Sequence, residues 1–282
     1  MWICADELGH IQAVGTDAAG RRQYLYHEAW RERRDREKFK RLPEFAKALI
    51  PAREALAADL KLKGLVRERV MACAVRLLDI GTFRVGGEDY AEENESYGLA
   101  TLEKRHVSVS GGGIDFEFVA KGGIEQTQRI EDRLVVPTVL ALKRRPGKPA
   151  EPLLAYRAGR GDWRDVSSTE INQWLKDLIG PEYSAKDFRT WNGTVLTAVK
   201  LAGRADAPDR AKAVTAVIAE VADILGNTPA VCRASYVDPR VVSRYRGGRT
   251  IAPALKRLKA KGTSRDFADR VGIERAVIKL LA

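Results

Sequence analysis

Cysteine is scarce in this 282-residue chain: Cys4, Cys73 and Cys232 are odd in number, far apart and never in C-x-x-C spacing. That pattern suggests neither a disulfide framework nor a zinc site, and it fits a reducing cytoplasm. The opening MWICADELGHIQ has no basic segment followed by an apolar run, and no apolar stretch elsewhere approaches the ~18 residues of a membrane span. A soluble, intracellular protein is expected. Neither a cluster with metal-ligand spacing nor a Walker-type loop is present, and Ser110-Gly111-Gly112-Gly113 joins two strand patterns instead of opening a helix, so it is not read as a phosphate loop. Repeats and low-complexity segments are absent too. What the chain has in excess is positive charge. Lys and Arg number 49 against 38 Asp and Glu, a net charge of +11, which favours a polyanionic partner such as nucleic acid. With 45% hydrophobic residues, the length suffices for one large domain or two modest ones with a real core.

Along the chain, residues 2 to 26 read as short strands, WIC, IQAV and RQYLYH, with Tyr24 and Tyr26 on one face by period-two alternation. Three short strands do not close a core, and a start on a strand at residue 2 predicts more sheet ahead of Met1. Glu28 to Arg41 is so charged that it reads as a solvated helix or a connector. A helical region begins at Pro43 and should be interrupted at Pro51. The next helix should bury Val66, Val70, Cys73, Ala74, Leu77 and Leu78. Arg84 follows a helix end at Gly81 and precedes Gly86-Gly87, a place for a sharp turn with an exposed guanidinium. His106–Val109, Ile114–Ala120 and Ile124–Ile130 alternate as strands, which puts Lys121 at a glycine-flanked hairpin tip and leaves His106 a satisfied or exposed histidine at a strand start. Pro137 starts another helix, Arg144 to Pro152 is a basic, proline-rich loop, and the rest reads as helical. Capping boxes stand at Ser167–Glu170 and Ser184–Asp187. A long helix stops at Gly226, Thr228-Pro229 starts the next, and basic short helices through Arg240 to Lys261 finish the domain.

Five side chains stand out in this layout: Arg84 in GTFRVGG, Lys121 in FVAKGG, Arg189 in KDFRTWN, and Asn227 and Tyr236 in LGNTPAVCRASYV. Asn227 falls in a tight turn between helices, and Tyr236 comes about two turns later. Two guanidiniums, an ammonium, an amide and a phenol are the parts needed to bind a phosphodiester, attack it and hand a proton to its leaving oxygen. Taken singly, each is ordinary: surface charge, a turn lysine, a half-buried tyrosine.

Taken in order, these segments resemble the type IB DNA topoisomerases of the poxviral and bacterial kind. TDAAGRRQYLYH resembles the family's DNA-contacting strand, FRVGGEDYAEENESYGLATLEKRHV its first arginine segment, FVAKGG its lysine hairpin, KDFRTWNGT its second arginine helix and LGNTPAVCRASYV its tyrosine segment. The resemblance covers essentially the whole chain. It implies an α+β fold: a small, incomplete β-rich DNA-clamp lobe and connector over 1–40, then a mainly helical catalytic domain with a small antiparallel sheet over 41–282. It implies a monomer closing as a C-shaped clamp on double-stranded DNA in the cytoplasm, at the nucleoid, with no metal, nucleotide or other cofactor.

The resemblance also assigns roles. Tyr236 is the nucleophile that forms a 3′-phosphotyrosyl bond, Arg84 and Arg189 hold the non-bridging oxygens, and Lys121 is the general acid toward the 5′-oxygen. Asn227 stands where many relatives carry histidine; an amide donates a hydrogen bond but does not titrate. Gln23, Tyr24, Tyr26, Tyr90 and Lys186 are implied DNA contacts. Gly87 replaces the lysine usual in the family after the first arginine. A tyrosine recombinase shares this chemistry, but recombinases usually carry histidine where Lys186 stands and have a helical N-terminal module. A non-catalytic DNA-binding remnant is the other alternative; all five occupied site positions argue against it.

Overall fold

In the computed structural model the chain forms two units, Met1–Pro43 and Glu44–Ala282. The structure describes residues 1–17, 20, 22–87, 95–159, 161–258 and 267–282. In the first unit β1 (Trp2–Ile3), β2 (Ile11–Thr16) and β3 (Arg22–Tyr26) pair antiparallel in that order, with Val14 opposite both Trp2 and Tyr24. No residue of these strands is buried. Tyr24 and Tyr26 share a face, their ring centroids 6.1 Å apart, and Tyr26 stacks on Trp30 at 4.4 Å.

Helix α1 (Glu28–Asp59) runs through both Pro43 and Pro51, so the expected break at Pro51 does not occur. A proline inside a helix costs about 3 kcal/mol. Against this stand Phe45, Ala46, Leu49, Ala52 and Leu56, all at most 4% exposed, and each fully buried large side chain stabilises by roughly 1.5–3 kcal/mol. Phe45 meets Tyr183 and Phe188 edge-on at 5.3 and 5.1 Å. Tertiary burial therefore outweighs the local penalty. The N-terminal part of α1 is the solvated face its charge suggests, with pairs such as Arg33–Glu37 at its surface.

Helix α2 (Arg67–Ile80) is buried all round from Val70 to Asp79, broader than the single face expected. Val66 is an exception to the expected core: it precedes the helix as an exposed N-cap. A three-stranded antiparallel sheet follows, β4 (Val107–Ser110), β5 (Gly113–Ala120) and β6 (Ile124–Ile130), in that order. β4 starts one residue later than expected, because His106 closes a 3-10 turn and accepts a hydrogen bond from the Glu103 amide at 3.1 Å. Helix α3 (Val135–Arg144) has Pro137 in its first turn.

The segment after the proline-rich loop is not all helical. β7 (Ala155–Ala158) and β8 (Asp162–Asp165) form an antiparallel hairpin, turned at Gly159 with φ +69° and anchored by the buried run Leu153–Tyr156. Then come α4 (Ser168–Ile179), α5 (Ala185–Ala202), α6 (Arg210–Leu225), α7 (Pro229–Ser235), α8 (Pro239–Arg246), α9 (Ala252–Leu258) and α10 (Phe267–Leu281). Both expected capping boxes form, at Ser167 and Ser184. α10 extends the domain past the end expected at Lys261, and its Ile273, Val277 and Leu281 are core. The result is an α+β fold, mainly helical with small antiparallel sheets. Among the described residues no single helix is long and apolar enough to cross a membrane.

Four helices of the larger unit meet through buried charge. Asp79 at the end of α2 takes a two-pronged hydrogen bond from Arg53 of α1 (2.9 and 2.7 Å) and further bonds from Arg76 (2.9 Å) and Arg270 of α10 (3.2 Å). Glu274 of α10 accepts from Arg53 (2.8 Å) and from the Trp191 indole of α5 (3.0 Å), and Arg76 also reaches Asp132 (2.9 Å). Burial alone would raise the Asp79 pKa; the charges of Arg270, Arg53 and Arg76, with the Arg53 hydrogen bonds, more than reverse this and hold it below the usual carboxylate range.

Removing one partner of such a network strands charge in the core, so Asp79→Ala should cost roughly 3–5 kcal/mol in urea unfolding. Because the folded pKa is depressed, the carboxylate's contribution is complete above the unfolded value of about 3.9 and is lost as pH falls through the folded one. The stability of the unmodified chain should therefore decline more steeply with acid below about pH 4 than that of Asp79→Asn. Superimposable acid limbs for the two would contradict this role.

Candidate active site

The site is assembled at the C-terminal end of α6. Gly226 takes the left-handed conformation (φ 61°, ψ 52°) that ends the helix, its amide bonds to the Asp223 carbonyl, and the Asn227 amide bonds to that of Ala222 at 2.9 Å. The carbonyls of Leu225 and Gly226 are left without helical donors, at the negative end of the helix dipole. Both are taken by guanidiniums. Arg84 donates from Nη2 to the Gly226 carbonyl (2.7 Å) and to Asn227 Oδ1 (2.8 Å). Arg189 of α5 donates to the Leu225 carbonyl (2.7 Å) and to the Thr82 carbonyl.

This differs from the exposed guanidinium expected at Arg84, which is half-buried because it folds onto the α6 terminus. Its segment is held by a close backbone approach. The Arg84 and Val85 carbonyls accept from the Leu99 and Ala100 amides (2.8 and 2.7 Å), and a Cβ on Gly98 would lie 2.5 Å from the Gly86 Cα. Only glycine fits there.

Arg189 is 3% exposed, and its Nε is a buried donor with no hydrogen-bond partner. Burial, followed by the neighbouring charge of Arg84, lowers its pKa to about 10; Tyr236 beside it pulls the other way. Two guanidiniums side by side, one desolvated with an unsatisfied N–H, repel each other and favour an anionic oxygen group between them.

Tyr236 closes α7 as its C-cap, one turn after Cys232, with its ring centroid 5.0 Å from the Arg189 guanidinium carbon. Helix α5 fixes its backbone. The Thr194 hydroxyl donates to the Tyr236 carbonyl (3.4 Å) and accepts from the Asp238 amide (3.1 Å), and a Cβ on Gly193 would stand 2.6 Å from that same carbonyl oxygen. Burial pushes the Cys232 thiol up to about 11, so it stays protonated at neutral pH.

Of the five side chains singled out in the sequence, Arg84, Arg189, Asn227 and Tyr236 are thus brought together within the larger unit. Lys121 is exposed on the β5–β6 turn, between Ala120 and two glycines with φ +85° and +73°. The returning strand β6 carries Gln126 against Gly226, where a Cβ would meet its amide nitrogen at 2.7 Å. Lys186 is exposed one turn before Arg189. In the first unit Gln23 and Tyr24 are exposed, Gln23 bonded to Asp17 at 2.9 Å, and Tyr26 is half-buried. Tyr90 lies outside the described residues.

Residues 27–259 match the family described as eukaryotic DNA topoisomerase I, catalytic core. The chain belongs to the type IB DNA topoisomerases. It is 30% identical to the DNA topoisomerase 1B of Acanthamoeba polyphaga mimivirus over 84% of its own length and 73% of that protein's. Against the DNA topoisomerase 1B of vaccinia virus (strain Copenhagen) the identity is 25%, over 82% and 71%. Similarity to the longer DNA topoisomerase 1 of the fungus Mycosarcoma maydis reaches 27%, over 62% of this chain and 19% of that one.

Several groups that build this candidate site escape a reading based on side-chain types. The carbonyls of Thr82, Leu225 and Gly226 do the positioning, and backbone acceptors carry no sequence signature. Gly193 does carry one: a glycine inside a helical pattern costs about 1 kcal/mol relative to Ala, which points to a packing reason for it. Gly193→Ala should accordingly displace the Tyr236 backbone. The single-turnover rate of covalent adduct formation should fall on the order of tenfold or more, since a misplacement of 1 Å can cost ~100-fold, while DNA affinity holds. An unchanged adduct rate would show that α5 does not set the tyrosine's position.

Proposed function

We propose that this chain relaxes supercoiled duplex DNA by transient single-strand cleavage and religation, with Tyr236 as nucleophile. The observation that carries the reading is the pair Arg84 and Arg189, both hung from carbonyls at the α6 terminus, with Arg189 beside the Tyr236 ring. A phosphodiester between the guanidiniums would have its non-bridging oxygens held by charge-assisted bonds, which strengthen as charge builds in the transition state. The Tyr236 oxygen attacks phosphorus as the phenol proton passes to solvent water, the P–O5′ bond breaks, and a 3′-phosphotyrosyl bond and a free 5′-hydroxyl strand result. The free strand rotates, and its 5′-oxygen then attacks phosphorus in reverse. Lys121 supplies the proton to the departing 5′-oxygen and takes it back on religation.

Asn227, whose Oδ1 orients Arg84, has an amide nitrogen that donates to the Leu225 carbonyl at 3.3 Å and has a second N–H for phosphate. The amide holds charge without titrating. Residues 1–40 act in this reading as a DNA-clamping lobe and connector, with Gln23, Tyr24, Tyr26, Tyr90 and Lys186 contacting DNA, and 41–282 as the catalytic domain. A monomer in the nucleoid suffices, and the arginines and the lysine supply the positive charge and the proton that the reaction needs.

The test uses a suicide DNA substrate in EDTA without nucleotide. The unmodified chain should become linked to a 3′ end. Lys121→Ala should slow cleavage by on the order of 10²-fold, and replacing the bridging 5′-oxygen by sulfur, a leaving group that hardly needs a proton, should recover most of the rate. Arg84→Ala and Arg189→Ala should not recover comparably, because they act on the non-bridging oxygens. A strict metal or nucleotide requirement, or equal rescue of all three variants, would contradict the scheme.

A further inference from the structure

Strand β6 is the edge of its sheet and returns from the Lys121 turn toward the arginine pair. It sends two glutamines to the backbone that positions those arginines. Gln128 Oε1 accepts the Thr82 amide at 2.8 Å and the Thr82 hydroxyl at 3.4 Å. Thr82 in turn offers its carbonyl to Arg189, and Arg84 lies two residues further along. One strand turn away, Gln126 packs against Gly226, whose carbonyl takes Arg84. This backbone has a second hold: Asn192 donates to the carbonyls of Asp79 (3.0 Å) and Gly81 (2.9 Å).

The segment Gly81–Thr82 is therefore held at two points, by α5 through Asn192 at Gly81 and by β6 through Gln128 at Thr82. We infer that Gln128 is a positioning residue for phosphodiester cleavage, which acts by holding the Thr82 backbone in the place where its carbonyl orients Arg189. This rests on the reading that Arg189 stabilises the reacting phosphate. Gln128 acts in this scheme through Thr82 and Arg189, and not on the phosphate itself. The consequence is that the hairpin carrying Lys121 and the arginine pair share one strand, so the general acid and the anion site are set in a common frame.

The surroundings favour a clean test. Gln128 and Thr82 line an open cavity of about 620 Å³ between β6, α5 and α10. Gln128 is half-buried and not part of the close-packed core, so replacing it leaves the ion cluster and the apolar interior intact. Gln128→Leu removes the acceptor at similar volume. Gln128→Glu keeps an oxygen at the same reach, and Gln128→Asn withdraws it by one methylene.

Two measurements are made on the full chain. Hydrogen exchange of the Thr82 amide should accelerate in Gln128→Leu and Gln128→Asn and stay protected in Gln128→Glu. Single-turnover cleavage should slow roughly tenfold in the first two variants, the equivalent of one lost hydrogen bond in a transition state, with DNA affinity unchanged. Bridging 5′-sulfur should not rescue them, because the defect lies at the anion site and not at the leaving group. Gln128→Glu should cleave at close to the unmodified rate. Should Gln128→Leu fail to fold, Gln128→Asn carries both measurements. The inference is overturned by unchanged Thr82 exchange, by full sulfur rescue, or by a Gln128→Glu chain as slow as Gln128→Leu. Accelerated Thr82 exchange in a protein whose unmodified form makes no 3′ adduct would instead sink the cleavage reading and leave the bracing of Thr82 standing.

Discussion

Asp79 is a buried carboxylate that receives hydrogen bonds from three arginines, on two other helices and on its own. Three guanidiniums, Arg53, Arg76 and Arg270, face three carboxylates, Asp79, Asp132 and Glu274, so the cluster is neutral as a whole while each member is tied to a particular partner. Such a network is a weak source of net stability compared with apolar packing, but its bonds tie each helix to particular neighbours. That specificity reaches the candidate site directly. Arg270 and Asn192 hold the Asp79 main chain, Asn192 also holds Gly81, and the chain then runs three residues to Arg84. The helix that carries Asn192 carries Arg189 one turn earlier and Gly193 and Thr194 immediately after. Both arginines and the tyrosine backbone are thus registered against one buried ionic core.

At the candidate site both guanidiniums are oriented by backbone carbonyls, that of Gly226 for Arg84 and those of Leu225 and Thr82 for Arg189. Preorganised donors of this kind need no reorganisation when charge develops, and their low-dielectric surroundings strengthen them. The cost is visible in Arg189, desolvated and beside a like charge, with its pKa lowered to about 10. Local frustration of this sort is usual where a protein is built to bind an ion. Asn227 fits the arrangement because its amide can accept from Arg84 and donate elsewhere with no change of protonation across the working range of pH.

Much of this was legible in the sequence, and the limits have physical causes. Capping boxes at Ser167 and Ser184, the stop at Gly226 and the start at Thr228-Pro229 are local chemistry, and each forms as expected. Lys121 on its glycine-flanked turn follows from strand periodicity alone. Pro51 misleads because burial of neighbouring apolar residues, a tertiary effect, exceeds a local penalty. The β7–β8 hairpin carries its own signals, glycines at 159 and 161 between short alternating runs, which the expectation of continuous helix obscured. The ion cluster could not be read at all: Asp79 and Glu274 lie 26 and 221 residues from Arg53, and a buried charge looks like a surface one in sequence. Recognition of the site residues rested on five segments in order, which composition and spacing alone did not assign.

The central claim is that Tyr236 is the residue that becomes joined to DNA. It is tested most directly by trapping the covalent adduct with detergent, in EDTA and without nucleotide, digesting the protein, and identifying the peptide left on the DNA end by mass spectrometry. The account predicts a peptide spanning Tyr236, attached through its phenol oxygen to a 3′-phosphate. A 5′ linkage, or attachment through any residue other than Tyr236, would contradict it.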